Sequence, residues 1–311
     1  MSRIFDALQR SQGENPSVAT PNQSVPPEAL ASAMDNAAGE MPSPEARTAA
    51  QAPDWLSVPP ARVLHPHPTP EQRIVSLSEP NGPGAEMFRV LSTRLAHMKD
   101  KRPLSKLLVS SAVVDEGKSV VAVNLAVALA ERPSERVLLM EADLRRPTAS
   151  TLLSPNPTAG ITEWHAGKLS IQNALYKVGD LPLWFLSAGA GLQEPLPVLE
   201  SLEFANMVEA VSAHFDWVIL DSTPMLPMAD AASLSRLCDG VLVVVREGYT
   251  RRKLLNKALE SIDPKKLLGM VFNEAASQQA TYDQFGGYGY YDNKKAGGRS
   301  AAGDQGKAAT A

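Results

Sequence analysis

The chain has 311 residues, 44% hydrophobic and 21% charged, with a net charge of −4. That balance is ordinary for a soluble globular protein and supplies no basic surface for nucleic acid. Its single cysteine, Cys238, excludes an intramolecular disulfide, and apolar neighbours point to a buried thiol in a reducing compartment.

Met1, Ile4, Phe5 and Leu8 fall at helical spacing and predict a short amphipathic helix over residues 1–11. No apolar signal region accompanies it, and no apolar run approaches the ~20 residues that cross a bilayer. The expectation is a cytoplasmic protein with no direct membrane span. Residues 12–83 hold about half of the 25 prolines and few large apolar side chains. Such a segment buries too little to offset its conformational entropy and predicts a disordered linker.

A folded domain is expected over 84–276. It opens with an amphipathic helix, Ala85 to Met98, with Met87, Val90, Leu91 and Leu95 on its apolar face and Glu86, Arg89 and Arg94 outside it. Strands are predicted at Lys106–Ser111, Val137–Glu141, Leu183–Ser187, Trp217–Asp221, Gly240–Arg246 and Leu267–Asn273. Several are continuous Val/Leu/Ile runs, as strands buried on both faces require. Helical segments alternate with them at Ser119–Arg132, Phe204–His214, Ala229–Leu237 and Arg251–Ile262. The alternation predicts an α/β fold with a mostly parallel sheet and helices on both faces, its ligands at the carboxyl ends of the strands.

Between the first strand and its helix runs Ala112-Val113-Val114-Asp115-Glu116-Gly117-Lys118-Ser119. Strand, tight loop ending in Gly-Lys-Ser, helix is the layout of a P-loop, with Ala112 where the first glycine usually stands. Backbone N–H groups of Val114, Asp115, Glu116, Gly117, Lys118, Ser119 and Val120 are the candidate phosphate ligands. The helix N-terminus adds partial positive charge, Lys118 reaches the outer phosphates and the Ser119 hydroxyl suits Mg²⁺. Acids close two other strands: Glu141 and Asp143 after Val137–Met140, and Asp221 after Trp217–Leu220. They reach the rim where the loop opens, and hard oxygen ligands there suit Mg²⁺.

These motifs resemble those of the bacterial tyrosine kinases of polysaccharide co-polymerase systems. Gly117-Lys118-Ser119 is similar to their Walker A motif, Glu141-Ala142-Asp143-Leu144-Arg145-Arg146-Pro147 to Walker A′, and Val218-Ile219-Leu220-Asp221-Ser222-Thr223-Pro224 to Walker B. Glu86-Met87-Phe88-Arg89 resembles the family's assembly segment, and Gly269-Met270-Val271-Phe272-Asn273 the strand whose asparagine lies by the adenine. The resemblance implies a P-loop NTPase fold and transfer of the ATP γ-phosphate to tyrosine. It gives Ser119, Asp143 and Asp221 to Mg²⁺, Glu141 to activation of the tyrosine, Asn273 to the nucleotide, and Glu86 and Arg89 to oligomerisation in a ring. It also implies an activating transmembrane chain-length regulator that holds the kinase at the inner face of the membrane.

Three positions depart from the family pattern: Glu141 where Asp is common, Ser92 where the assembly segment has a second arginine, and the unusual Asp115. Four of the six tyrosines, Tyr282, Tyr288, Tyr290 and Tyr291, lie in a Gly-rich stretch of the tail expected over 277–311. By resemblance they are the autophosphorylation sites, modified in trans. Two alternatives stay open on sequence alone. One is a partition- or septum-type ATPase, although Ala112–Glu116 lacks the second lysine of that class. The other is a catalytically weak, nucleotide-dependent scaffold.

Overall fold

The computed structural model describes residues 62–153 and 159–274; the helix expected over 1–11, most of the expected linker and the four tail tyrosines lie outside them. Among the described residues the strands are β1 Val63–Leu64, β2 Lys106–Ser111, β3 Val137–Glu141, β4 Leu175–Val178, β5 Leu183–Leu186, β6 Trp217–Asp221, β7 Gly240–Arg246 and β8 Leu267–Asn273. They form one sheet in the order β1-β4-β5-β3-β6-β2-β7-β8. From β5 to β8 every pairing is parallel; β4 runs antiparallel to β5, and β1 runs parallel to β4. The longer helices are α1 Pro83–Lys99, α2 Lys118–Ala130, α3 Leu202–Ser212, α4 Asp230–Leu237 and α5 Arg252–Leu259.

Alternate residues of each central strand enter opposite apolar layers, as the two-residue repeat of a strand dictates. Leu107, Val109, Leu139, Ile219 and Val244 pack on the side of α1 and α2. Leu108, Leu138, Leu220 and Val243 pack on the side of α3 and α4. Helix α2 is buried without a break from Val121 to Ala130. Its near-uniform apolar sequence suits a helix sunk in the core rather than one with a wet face.

Helix α1 buries a different stripe from the one its apolar residues outline. Ala85, Ser92, Leu95 and Ala96 face the core, Phe88 and Leu91 pack beside them, and Met87 and Val90 stay 40% and 43% exposed. Small side chains let the helix lie close to its neighbours, and the buried Ser92 hydroxyl donates to the Arg89 carbonyl at 2.9 Å. Arg89, assigned to oligomerisation, is engaged within its own chain: Nε donates to Glu131 at 2.9 Å and Nη2 to the Pro80 carbonyl at 2.6 Å. Glu86, 3.4 Å from the same guanidinium, is exposed.

Residues 62–82 correct the linker boundary. They contain β1, a 3₁₀ turn at Pro70–Gln72 and a helical turn at Val75–Ser78. Their few apolar residues are well used: Ile74 is fully buried and Leu64 nearly so, and a buried aliphatic side chain contributes about 1.5–3 kcal/mol. The strap they form is tied to α2 through Asn124, itself fully buried. Asn124 Oδ1 accepts from the Ser76 N–H at 2.9 Å, and Nδ2 donates to the carbonyls of Arg73 and Val120 at 3.0 and 2.9 Å. Asn124→Ala is expected to leave those buried groups unpaired and cost about 2–4 kcal/mol. Urea unfolding measures the loss, and limited proteolysis should show early cleavage between residues 62 and 82.

Candidate active site

The β2–α2 connection makes a tight turn because two of its residues take left-handed backbone conformations. Asp115 has φ 61° and Gly117 φ 84°. Asp tolerates this region better than most residues, which accounts for the unusual acid at 115. At 117 only glycine fits, since a Cβ would stand 2.1 Å from the Asn273 amide nitrogen. Glu116, between them, is buried and turns its carboxylate into the protein: Oε2 accepts from the Val113 N–H at 2.8 Å, and Oε1 from the Thr250 hydroxyl. Val114 projects outward, 47% exposed, at the mouth of the site.

Register brings the acids to the loop. β6 lies between β2 and β3, and Asp221 pairs in register with Glu141. Lys118, the first residue of α2, stands among them, with Nζ 3.0 Å from Asp143 Oδ2 and 3.8 Å from Asp221 Oδ1. The same ammonium donates to the Ser119 hydroxyl at 3.2 Å. Burial opposes the Lys118 charge, but the Asp221 and Asp143 carboxylates outweigh it and its pKa is raised. Asp221 is fully buried and its pKa is raised by desolvation, against the pull of Lys118.

Neither Asp221 carboxylate oxygen makes a well-formed hydrogen bond; the groups beside it are the Lys118 ammonium at 3.8 Å and the Ser119 hydroxyl. A native fold seldom leaves a buried carboxylate unsatisfied. With the Ser119 hydroxyl close by, Asp221 fits one anchor of a Mg²⁺ ion. The described residues hold no group of three or more His, Cys, Asp or Glu able to cage a metal. Mg²⁺ is commonly held by one or two carboxylates and completed by phosphate and water.

Glu141 is turned away from the cleft. Its carboxylate is fully buried and accepts from the Ser150 N–H at 2.9 Å and the Ala188 N–H at 3.1 Å. Burial raises its pKa, and those backbone bonds oppose the shift. The extra methylene relative to Asp lets one carboxylate span from the end of β3 to both the 149–153 helical turn and the segment after β5. Asp143, not Glu141, lines the cleft of about 240 Å³ in front of Lys118, together with Val114, Arg146, Thr223 and Met228. Asp143 Oδ1 also accepts from the Arg146 N–H at 3.0 Å.

Other contacts were hidden from sequence. Arg145 clamps the buried Asp230 through Nε and Nη2 at 2.7 and 3.2 Å, joining the loop after β3 to the first turn of α4. Asn273 Nδ2 donates to the Glu116 carbonyl at 3.0 Å. Glu274 bridges Arg73 and Arg246, and Arg246 Nη1 reaches the Asp115 carbonyl at 3.3 Å. Acid, amide and guanidinium thus fasten the loop from the carboxyl ends of β7 and β8. A larger cavity of about 590 Å³ opens at the amino ends of the strands, near Arg102, Lys106, Asp239 and Lys266. Several of its basic groups are bonded to backbone carbonyls: Arg102 to Lys265 and Asp239, and Lys266 to Ser235 and Arg236. Cys238 lies beside it, its thiol pushed up to about 12 by burial.

No family model matches the chain. Among curated proteins it is 31% identical over 225 residues to the tyrosine-protein kinase YwqD of Bacillus subtilis, covering 72% of this chain and 94% of that one. It is 28% identical to the tyrosine-protein kinase CpsD of Streptococcus agalactiae, covering 68% and 92%. It is 30% identical to the succinoglycan biosynthesis transport protein ExoP of Rhizobium meliloti, covering 72% of this chain and 30% of that longer one. Among solved structures, the kinase domain of the Escherichia coli tyrosine kinase ETK superposes with a TM-score of 0.59 at 25% identity, covering 65% and 82%. A P-loop lysine facing two strand-end carboxylates, together with identity spread over nearly the whole length of YwqD, makes this chain a member of the bacterial tyrosine kinases.

Proposed function

We propose that the kinase transfers the γ-phosphoryl group of ATP to its own tail tyrosines, Tyr282, Tyr288, Tyr290 and Tyr291, in a second copy of the chain. The observation that carries the reading is the position of Lys118, 3.0 Å from Asp143 and 3.8 Å from Asp221 on a tight phosphate-type loop. Two carboxylates against one ammonium leave the site short of positive charge, which favours a nucleotide arriving with a divalent cation.

Lys118 turns from Asp143 to the β- and γ-phosphates, and backbone N–H groups from Val114 to Val120 complete the cradle. Ser119 and Asp221 are the residues that would hold Mg²⁺, which would offset phosphate charge when bound. Release of Lys118 leaves Asp143 free to accept a hydrogen bond from the incoming phenol. As the bond from the tyrosine oxygen to the γ-phosphorus forms, the bond to the ADP oxygen breaks and the phenolic proton passes to Asp143. In such reactions positioning and charge neutralisation do most of the work. Glu141 enters as the anchor of the Asp143 segment. Asn273 fixes the loop and keeps its place on the adenine side.

The likeness to ExoP, a succinoglycan biosynthesis transport protein, supports a role in polysaccharide production; an activating transmembrane chain-length regulator that tethers the kinase to the inner membrane face completes the proposal. Exposed Met87 and Val90 beside Glu86 on α1 support self-association in a ring. Wild-type chain incubated with ATP, Mg²⁺ and a heavier-isotope Lys118→Met chain should place phosphate on the tail of the heavy chain. Phosphate confined to the light chain would show transfer in cis and overturn the trans reading.

A further inference from the structure

We infer that Thr250 is a positioning residue for the nucleotide loop, acting through the buried Glu116 carboxylate. The inference rests on the nucleotide-binding reading above and names a residue that the P-loop pattern does not contain.

Thr250 lies more than a hundred residues from the loop in sequence, in the turn that follows β7. Its hydroxyl has two jobs: it accepts from the Arg246 N–H at 3.0 Å, which fixes the turn, and donates to Glu116 Oε1. Glu116 is 1% exposed, and its other carboxylate oxygen takes the Val113 N–H at 2.8 Å. Its own carbonyl is held by Asn273 Nδ2 at 3.0 Å. The residue between the two left-handed positions of the loop is therefore gripped on three sides. Those grips set the peptide planes on either side of Glu116, and a loop whose N–H groups already converge loses less freedom when phosphate binds.

The arrangement also manages charge. A carboxylate one residue from Gly117 and two from Lys118 would repel a triphosphate if it faced the cleft. The Thr250 hydroxyl and the Val113 N–H give it a seat on the protein side instead. Without the hydroxyl, one carboxylate oxygen loses its donor while buried, a state that favours rotation toward solvent and the phosphates. Thr250 touches neither nucleotide nor acceptor in this account, so its removal raises Kd and KM for nucleotide and leaves turnover at saturation nearly intact.

The test uses the full chain, Mg²⁺ and ADP, with Thr250→Val and Thr250→Ala as hydroxyl-free variants and Thr250→Ser as the conservative one. Calorimetric Kd for ADP, and KM for ATP in tail phosphorylation, are expected to rise about five- to ten-fold in Thr250→Val and Thr250→Ala, with kcat within about two-fold of wild type. Thr250→Ser should stay within about two-fold on every measure. Wild-type affinity in both hydroxyl-free variants overturns the inference. So does equal weakening in Thr250→Ser, which would trace the effect to turn packing rather than to the hydroxyl. Failure of wild type to bind ADP would sink the nucleotide reading instead, a result these variants cannot mimic.

Discussion

Lys118→Met is expected to abolish phosphate on the tail tyrosines, with a fall in rate of at least about 10²–10³-fold, because a preorganised charge aimed at the transferred group is lost. Methionine keeps much of the stem and its burial, so the fold should survive. The ammonium that stands 3.0 Å from Asp143 and 3.8 Å from Asp221 disappears, and two buried carboxylates are left without their counter-charge. Asp221, whose pKa burial already raises, answers by holding its proton more tightly. A raised folded-state pKa makes its contribution most favourable in acid and removes it as pH climbs. The variant should therefore lose more thermal stability than wild type as pH rises above the ordinary Asp value of 3.8, a direction read from the upward shift of Asp221. Mass spectrometry after incubation with ATP and Mg²⁺ reports the first effect, and melting curves across that range report the second. Tail phosphate at wild-type level in Lys118→Met would remove the P-loop lysine from the chemistry.

Asp221→Asn should separate activity from stability. The carboxylate is fully buried, its oxygens make no well-formed hydrogen bond, and desolvation outweighs the pull of Lys118 at 3.8 Å, a costly state for a charge. Removing it deprives Mg²⁺ of an anchor, and tail phosphorylation is expected to drop about 10³-fold. The nucleotide-free protein, by contrast, should be at least as stable as wild type at pH 7, because a neutral amide of the same shape is easier to bury and Lys118 keeps Asp143. Wild type loses the Asp221 contribution as pH rises through a folded pKa that burial holds above the ordinary 3.8, so the asparagine variant should show a flatter stability profile above that value. A nucleotide-free Asp221→Asn protein that melts well below wild type at pH 7 would show that the charge is compensated after all. Active sites commonly carry such stability–activity trade-offs.

Much of this fold can be read from one chain of letters because its central strands are continuous apolar runs. Lys106–Ser111, Val137–Glu141, Trp217–Asp221, Gly240–Arg246 and Leu267–Asn273 form strands over the same bounds as expected. The sheet order then carries Asp143 and Asp221 to the loop, while the Glu141 carboxylate turns to the Ser150 and Ala188 N–H groups. What escaped notice depends on tertiary partners. β1 has two residues and β4 four, too few for a periodic signal, and each is defined by the strand beside it. The strap over 62–82 has linker composition, yet Ile74 and Ser76 find seats on α2 that no local pattern announces. On α1, Met87 and Val90 complete an apolar stripe in sequence, but small side chains at Ala85, Ser92 and Ala96 decide which side meets the core. Side-chain direction was equally hidden. Glu116 and Glu141 occupy motif positions, and both give their carboxylates to backbone N–H groups.

The carboxyl end of β8 is moored beside the loop through Asn273, and covalent reach follows from that mooring. An extended chain spans at most ~3.3–3.6 Å per residue, so Tyr282 can lie no farther than roughly 30 Å from Asn273 and Tyr291 no farther than roughly 60 Å. Under the proposed transfer, a neighbouring cleft beyond the shorter span is within reach of the later tyrosines alone, and inserting residues after Asn273 should shift which of them is modified first.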